Sequence, residues 1–199
     1  MLEFKNTSVM TEKGGLSSPF SLVVDPGDVV CLCGPSGSGK SRLLLAMMGL
    51  EPVAQGFITL DGELITPGAG AYFRKMIAYV PQRLPQSLPQ DPVKLSELYS
   101  MAFASSREKP DKGKLLEKWQ HVGIDKSLFD KTLDKINAVD LRTILLSFTL
   151  LQRRPIVLID GVPQVMQAAL IIRELVSMGS EVIYTCRENK HECNKLVNL

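Results

Sequence analysis

One-sided charge is missing from this chain. Lysine and arginine nearly balance aspartate and glutamate, and the formal net charge is +2. That balance gives no push toward nucleic acid or an anionic membrane surface, so nucleic acid is not expected as a partner. Long apolar runs are missing too. None reaches the roughly 18 residues that a membrane-spanning helix needs. The first residues, Met1-Leu2-Glu3-Phe4-Lys5, lack the basic start and apolar stretch of a secretory leader, which leads to the expectation of a cytoplasmic protein. There is no internal repeat and no low-complexity segment. Cysteine is sparse: Cys31, Cys33, Cys186 and Cys193. Cys31 and Cys33 alternate inside an apolar run and read as small core residues on one face of a buried strand. Cys186, His191 and Cys193 lack a fourth ligand at a recognised zinc spacing, and His191 reads as a surface helix residue.

What is present suits a globular domain. The length of 199 residues allows one substantial domain, or a domain with a small insertion, and 45% of residues are hydrophobic. Strands are expected at Leu2 to Met10 and Phe20 to Val24, with turns at Glu12 to Gly15 and Asp25 to Asp28. Val29-Val30-Cys31-Leu32-Cys33 is a continuous apolar run of the kind buried on both faces of a parallel sheet. A helix is predicted from Lys40 to Leu50, then strands at Gly56 to Asp61 and Ile77 to Val80. Prolines 85, 89 and 92 interrupt the next stretch. The pattern is helical from Val93 to about Asp134, with a polar break at Ser105 to Lys114, and reads as an insertion in an α/β core, about Ala71 to Asp134 overall. A stripe of apolar residues predicts a helix over Leu141 to Leu151. Ile156 to Asp160 is a buried strand ending in an acid. A helix at Val165 to Ser177 and strands at Glu181 to Thr185 and Lys195 to Leu199 follow.

The strongest chemical signal is Gly34-Pro35-Ser36-Gly37-Ser38-Gly39-Lys40-Ser41, which fits G-x-x-x-x-G-K-[S/T]. Glycines let successive amides face one anion, and the helix that begins at Lys40 adds its positive end. In such a loop the lysine reaches the β- and γ-phosphates and the serine hydroxyl ligates magnesium. A chance match in a chain of this length is on the order of one in a hundred from average residue frequencies. The loop, with Arg42 directly after it, therefore reads as an ATP-magnesium site. Asp160, at the end of a later apolar strand, is placed to serve the magnesium shell with Ser41.

The order of these pieces resembles the ATP-binding cassette domains of ABC transporters, over essentially the whole chain. Leu2 to Val9 looks like that family's first strand. Ile77-Ala78-Tyr79-Val80-Pro81-Gln82 looks like its Q-loop, where Gln82 would approach magnesium and the attacking water. Gln152 to Asp160 looks like the approach to Walker B. The resemblance implies a P-loop core with an N-terminal antiparallel β-subdomain and a helical insertion, all in one domain of residues 1–199. It also implies a membrane permease as partner, a second cassette of the same or a related chain, and a place on the inner face of the cell membrane.

Several positions depart from the family pattern. Gly161 stands where the family carries the water-activating glutamate. Cys186 stands at the switch histidine. Counting back from Asp160 by the family spacing, the signature Leu-Ser-Gly-Gly-Gln becomes Ile136-Asn137-Ala138-Val139-Asp140, in which only Asn137 keeps a donor in place of the serine. The segment Val162 to Gln167 lacks the usual acid, and no aromatic stands near Met10 to Glu12 to stack on adenine. Removing one positioned catalytic group commonly costs about a hundredfold in rate. Binding is thus expected with weak hydrolysis. Two other readings remain open at this stage. One is a P-loop nucleotide or small-molecule kinase, because the loop also resembles that of guanylate kinases. The other is an ATP-binding regulator outside transport.

Overall fold

The computed structural model describes residues 1–84, 93–104 and 108–199. Prolines 85, 89 and 92 and the start of the polar break at Ser105 lie outside these residues. The chain builds two sheets. Strands β1 (Leu2–Ser8), β2 (Phe20–Val24), β4 (Gln55–Leu60) and β5 (Glu63–Leu64) form an antiparallel sheet in the order β2-β1-β4-β5. Leu2 and Phe4 lie opposite Val24 and Leu22 on one side and Leu60 and Ile58 on the other. That register stacks apolar residues on one face, as the two-residue period of a half-buried sheet requires.

The second sheet is parallel, in the order β6-β7-β8-β3-β9. Its strands are β3 (Val29–Cys33), β6 (Ile77–Val80), β7 (Ile156–Ile159), β8 (Glu181–Cys186) and β9 (Lys195–Asn198). The alternation of side chains decides which core each residue enters. Val30, Leu32, Leu158 and Ile183 join Leu2, Phe4 and helix α1 (Lys40–Met47) in the core beneath the antiparallel sheet. Cys31, Val157, Ile159, Val182 and Tyr184 face the other way, onto helices α5 (Ala138–Gln152) and α6 (Met166–Ser177). Cys31 and Cys33 do share a face, the α5 side.

Between β6 and α5 the described residues include α3 (Leu95–Ala102), α4 (Lys112–Val122) and two short 3-10 turns. Trp119 of α4 is fully buried, and its indole N–H donates to Ser147 Oγ of α5 at 2.7 Å. A four-residue helix, α2 (Gly70–Phe73), precedes β6. Among the described residues no helix is long and apolar enough to cross a membrane.

Several element ends differ from the sequence reading, among them those of α1 and α5, and one residue sits on a different kind of element. Helix α1 stops at Met47 rather than Leu50 because Gly49 takes a left-handed backbone, φ 63°. Helix α5 starts at Ala138 rather than Leu141, since Asn137 caps it by accepting from the Val139 and Asp140 amides. His191 is not on a helix. It sits in a loop after β8, with Nε2 2.8 Å from the Pro163 carbonyl and its ring edge-on to Tyr184. A carbonyl only accepts, so Nε2 carries the proton in this contact.

Candidate nucleotide site

Strand β3 ends at Cys33 and the glycine-rich loop turns from it into α1. Gly37 and Gly39 hold left-handed backbones, φ 80° and 101°. A Cβ at Gly39 would meet Val9 Cγ2 at 2.7 Å, so the close approach of the N-terminal segment also demands glycine there. No side chain caps the start of α1. Its first amides are left to an anion or to water. Lys40 curls back over the loop, its Nζ donating to the carbonyls of Gly34 and Pro35 at 2.7 Å each and to Ser38 Oγ at 3.3 Å. Burial lowers the pKa of this ammonium, with Cys186, Cys33 and Asp160 opposing that effect.

Asp160 follows the last residue of β7 and points at the loop. Ser41 Oγ donates to its Oδ1 at 3.0 Å, and Thr185 Oγ1 donates to the same oxygen at 2.9 Å. Thr185 Oγ1 in turn accepts from the Gly161 amide at 2.7 Å. The Tyr79 hydroxyl lies beside Asp160; burial and then the carboxylate push its pKa up to about 12, so it stays protonated. The residues expected to share a site do come together. A cavity of about 700 Å³ is lined by loop residues including Ser36, Gly37, Lys40, Ser41 and Arg42, and by Gln82, Asp160, Gly161 and Cys186.

Most of the positions expected to depart from the family pattern have a local structural setting. Gly161 has φ 74°, and a Cβ there would meet the Gln82 side chain at 3.1 Å, so Gln82 fills the space beside the position where a carboxylate was expected. Cys186 turns inward, its Sγ 3.2 Å from Cys31 Sγ, and burial raises both thiols above their ordinary pKa. Asn137 spends its side-chain oxygen on capping α5 and one amide hydrogen on Asp140 Oδ2 at 2.6 Å. Met10 to Glu12 lies against the loop, with the Glu12 amide bonded to the Gly37 carbonyl, and Glu12 lines the cavity where an aromatic was sought. Arg42 is exposed and lies 4.0 Å from Glu51.

Sequence reading missed Thr185, Tyr79, Arg142 and Arg187. Thr185 is a polar residue near the end of an apolar strand, a signal that parallels Asp160 on β7. Arg142 of α5 lines the cavity and donates from its guanidinium to the Gly161 carbonyl at 3.2 Å and the Ala138 carbonyl at 3.3 Å. Nothing local in the sequence marks it.

A parallel sheet whose β3 runs into this loop, and whose β7 delivers an acid to the loop's serine, is a P-loop NTPase core. The antiparallel sheet ahead of it and the helical segment within it narrow the class. The family profile described as ABC transporter matches residues 18–162, and the chain belongs to that family. It is 30% identical over 146 residues to the thiamine import ATP-binding protein ThiQ of Photobacterium profundum, covering 73% of this chain and 58% of that one. A shorter stretch of 65 residues is 46% identical to the glutamate/aspartate import ATP-binding protein GltL of Escherichia coli, covering 33% of this chain. That stretch spans only 27% of GltL. Among solved structures, a putative ABC transporter ATP-binding protein from Pyrococcus furiosus superposes with a TM-score of 0.80 at 20% identity, over 100% of this chain and 96% of that one.

Proposed function

We propose that this chain is the ATP-binding subunit of an ABC-type transporter, that it binds ATP with magnesium, and that it couples nucleotide state to a membrane permease with weak hydrolysis of its own. The observation that carries the reading is the junction of Ser41 Oγ and Asp160 Oδ1, 3.0 Å apart, beside an uncapped helix start and Lys40. A hydroxyl and a carboxylate at that separation are the donor set magnesium takes in P-loop sites, and the helix start suits the phosphates. Lys40 is already bonded to oxygen atoms of the loop, the contacts that phosphate oxygens would replace. Ser41 and Asp160 would hold the metal, with Gln82 at its edge, and residues Gly34 to Arg42 would hold the phosphates. Magnesium, when bound, supplies positive charge to the β- and γ-oxygens.

Weak hydrolysis follows from what lines the cavity. Gly161 brings no carboxylate to activate water, and the Cys186 thiol is turned toward Cys31. The signature segment Ile136 to Asp140 offers a partner Ala138 and Val139 in place of glycines. A second cassette, the same chain or a relative, would face that segment. The helical segment between β6 and α5 is where a permease would dock, on the cytoplasmic face of the membrane. Isothermal titration of ATP-magnesium with the wild type and Lys40→Ala tests the reading. The wild type is expected to bind and the folded variant to lose most of its affinity. Equal affinities would mean the loop is only structural.

A further inference from the structure

We propose that Arg187 reads the terminal phosphate of the bound nucleotide, so that this chain distinguishes a nucleoside triphosphate from a diphosphate with a residue of its own. The inference rests on the ATP-binding reading above and deepens it.

The residue at the switch position, Cys186, closes strand β8 with its thiol inside the core beside Cys31. Although Cys186 borders the cavity, its thiol is committed to Cys31. The next residue brings a charged side chain. Arg187 is exposed and lines the cavity with Lys40, Ser41 and Asp160. Its backbone is tied to the start of the glycine-rich loop on both sides. The Gly34 amide donates to the Cys186 carbonyl at 3.3 Å, and the Cys33 thiol donates to the Arg187 carbonyl at 3.2 Å. A side chain that springs from a point so fixed has little room to move its root, which cuts the entropy cost of holding a ligand.

Three other cations of the cavity have partners, while Arg83, on the strand side of the lining, lacks among the described residues the tie to the loop that Arg187 has. Arg42 lies 4.0 Å from Glu51 and Lys190 lies 4.0 Å from Glu188. Arg142 is spent on two carbonyls. Among the described residues Arg187 has no carboxylate within ion-pair distance. Its positive charge is felt by Lys40, whose proton affinity it lowers. Two cations on the lining of one cavity repel, and an anion bound between them relieves that repulsion. A planar guanidinium also matches phosphate oxygens in a two-pronged geometry that a thiol does not offer. Each further phosphate adds negative charge to this field, so the benefit falls on the triphosphate.

The experiment is titration of ATP-magnesium and ADP-magnesium into the wild type, Arg187→Gln, Arg187→Lys and Lys190→Gln, with thermal melts to verify folding. Arg187→Gln is expected to weaken ATP about tenfold or more while ADP changes by less than about twofold, the size of one lost charge-assisted contact. Arg187→Lys should recover part of the loss, and Lys190→Gln, which removes the same charge from a lining residue not tied to the start of the loop, should leave the ATP-to-ADP ratio unchanged. An unchanged ratio in Arg187→Gln overturns the assignment while leaving ATP binding intact. An equal loss in Lys190→Gln overturns it in favour of general electrostatics. A wild type that binds neither nucleotide overturns the assignment together with the ATP-binding reading.

Discussion

Restoring the missing carboxylate by Gly161→Glu should cost stability and return little turnover. Gly161 has φ 74°, and its backbone cannot relax out of that region cheaply. Its amide donates to Thr185 Oγ1 at 2.7 Å, its carbonyl accepts from Arg142 at 3.2 Å, and the next amide, Val162, donates to the Thr185 carbonyl at 3.1 Å. A residue with a Cβ held in the left-handed region costs about 1–2 kcal/mol. The new Cβ would also lie 3.1 Å from Gln82 Cγ, so that side chain must give way. For a chain of this size about 1–2 kcal/mol corresponds to a fall in Tm of roughly 2–8 °C. Scanning calorimetry should find that fall in Gly161→Glu and in Gly161→Ala alike, since the backbone term is common to both. Steady-state phosphate release by Gly161→Glu should stay below the about hundredfold gain that a fully positioned catalytic group brings. Groups that act as one constellation give little when one alone is replaced. A variant as stable as the wild type that hydrolyses ATP briskly would refute this reasoning. So would brisk turnover by the unmodified protein, abolished by Lys40→Ala.

Asn137→Ala should remove the cap of α5 and cost about 1 kcal/mol, read as a shift in the urea midpoint with an unchanged slope; no shift would mean the helix start is held by packing alone. Thiol labelling of the native protein near pH 8 should leave Cys31 and Cys186 unmodified, because both are buried and burial raises both thiols, and should reach them only in denaturant. Rapid native labelling of either would contradict the inward placement. ATP and GTP should bind with comparable affinity, since base stacking on an aromatic is worth about 1–3 kcal/mol and Met10 to Glu12 supplies no ring. A strong preference for ATP in titration would reveal another base contact.

The strands of the parallel sheet were legible because burial on both faces leaves a continuous apolar run. Val29–Cys33 and Ile77–Val80 were placed to the residue. Helix ends were less legible where the apolar stripe and the capping residue disagree. The stripe of α5 begins at Leu141, yet Asn137 starts the helix one turn earlier. The loop residues and Asp160 could be named because their spacing carries the chemistry. Thr185 could not, because its place depends on a partner strand. The pairing of Ile159 with Tyr184 sets the next residues, Asp160 and Thr185, side by side, and register belongs to the sheet rather than to either strand. Arg187 was invisible for the same reason: only the fold brings the end of β8 against the start of the loop.

The substituted positions share a property that single reversions must confront. Each has been taken up by its own surroundings. Cys186 packs against Cys31 within the core that contains Tyr184. The space beside Gly161 belongs to Gln82. Asn137 holds the first turn of α5 and binds Asp140, the residue proposed to stand at the signature glutamine. By contrast the glycine-rich loop, Lys40, Ser41 and Asp160 keep a geometry in which their side chains bond to one another or to the loop itself. A larger imidazole at Cys186 would have to displace a buried thiol contact or leave the core for the cavity, where Arg187 already stands. A serine at 137 could cap the helix but would release Asp140. If hydrolysis is weak as proposed, a route to fast hydrolysis runs through coupled changes at several contacts. On the proposed reading binding asks for none of them, and this is the physical ground for measuring the two activities separately.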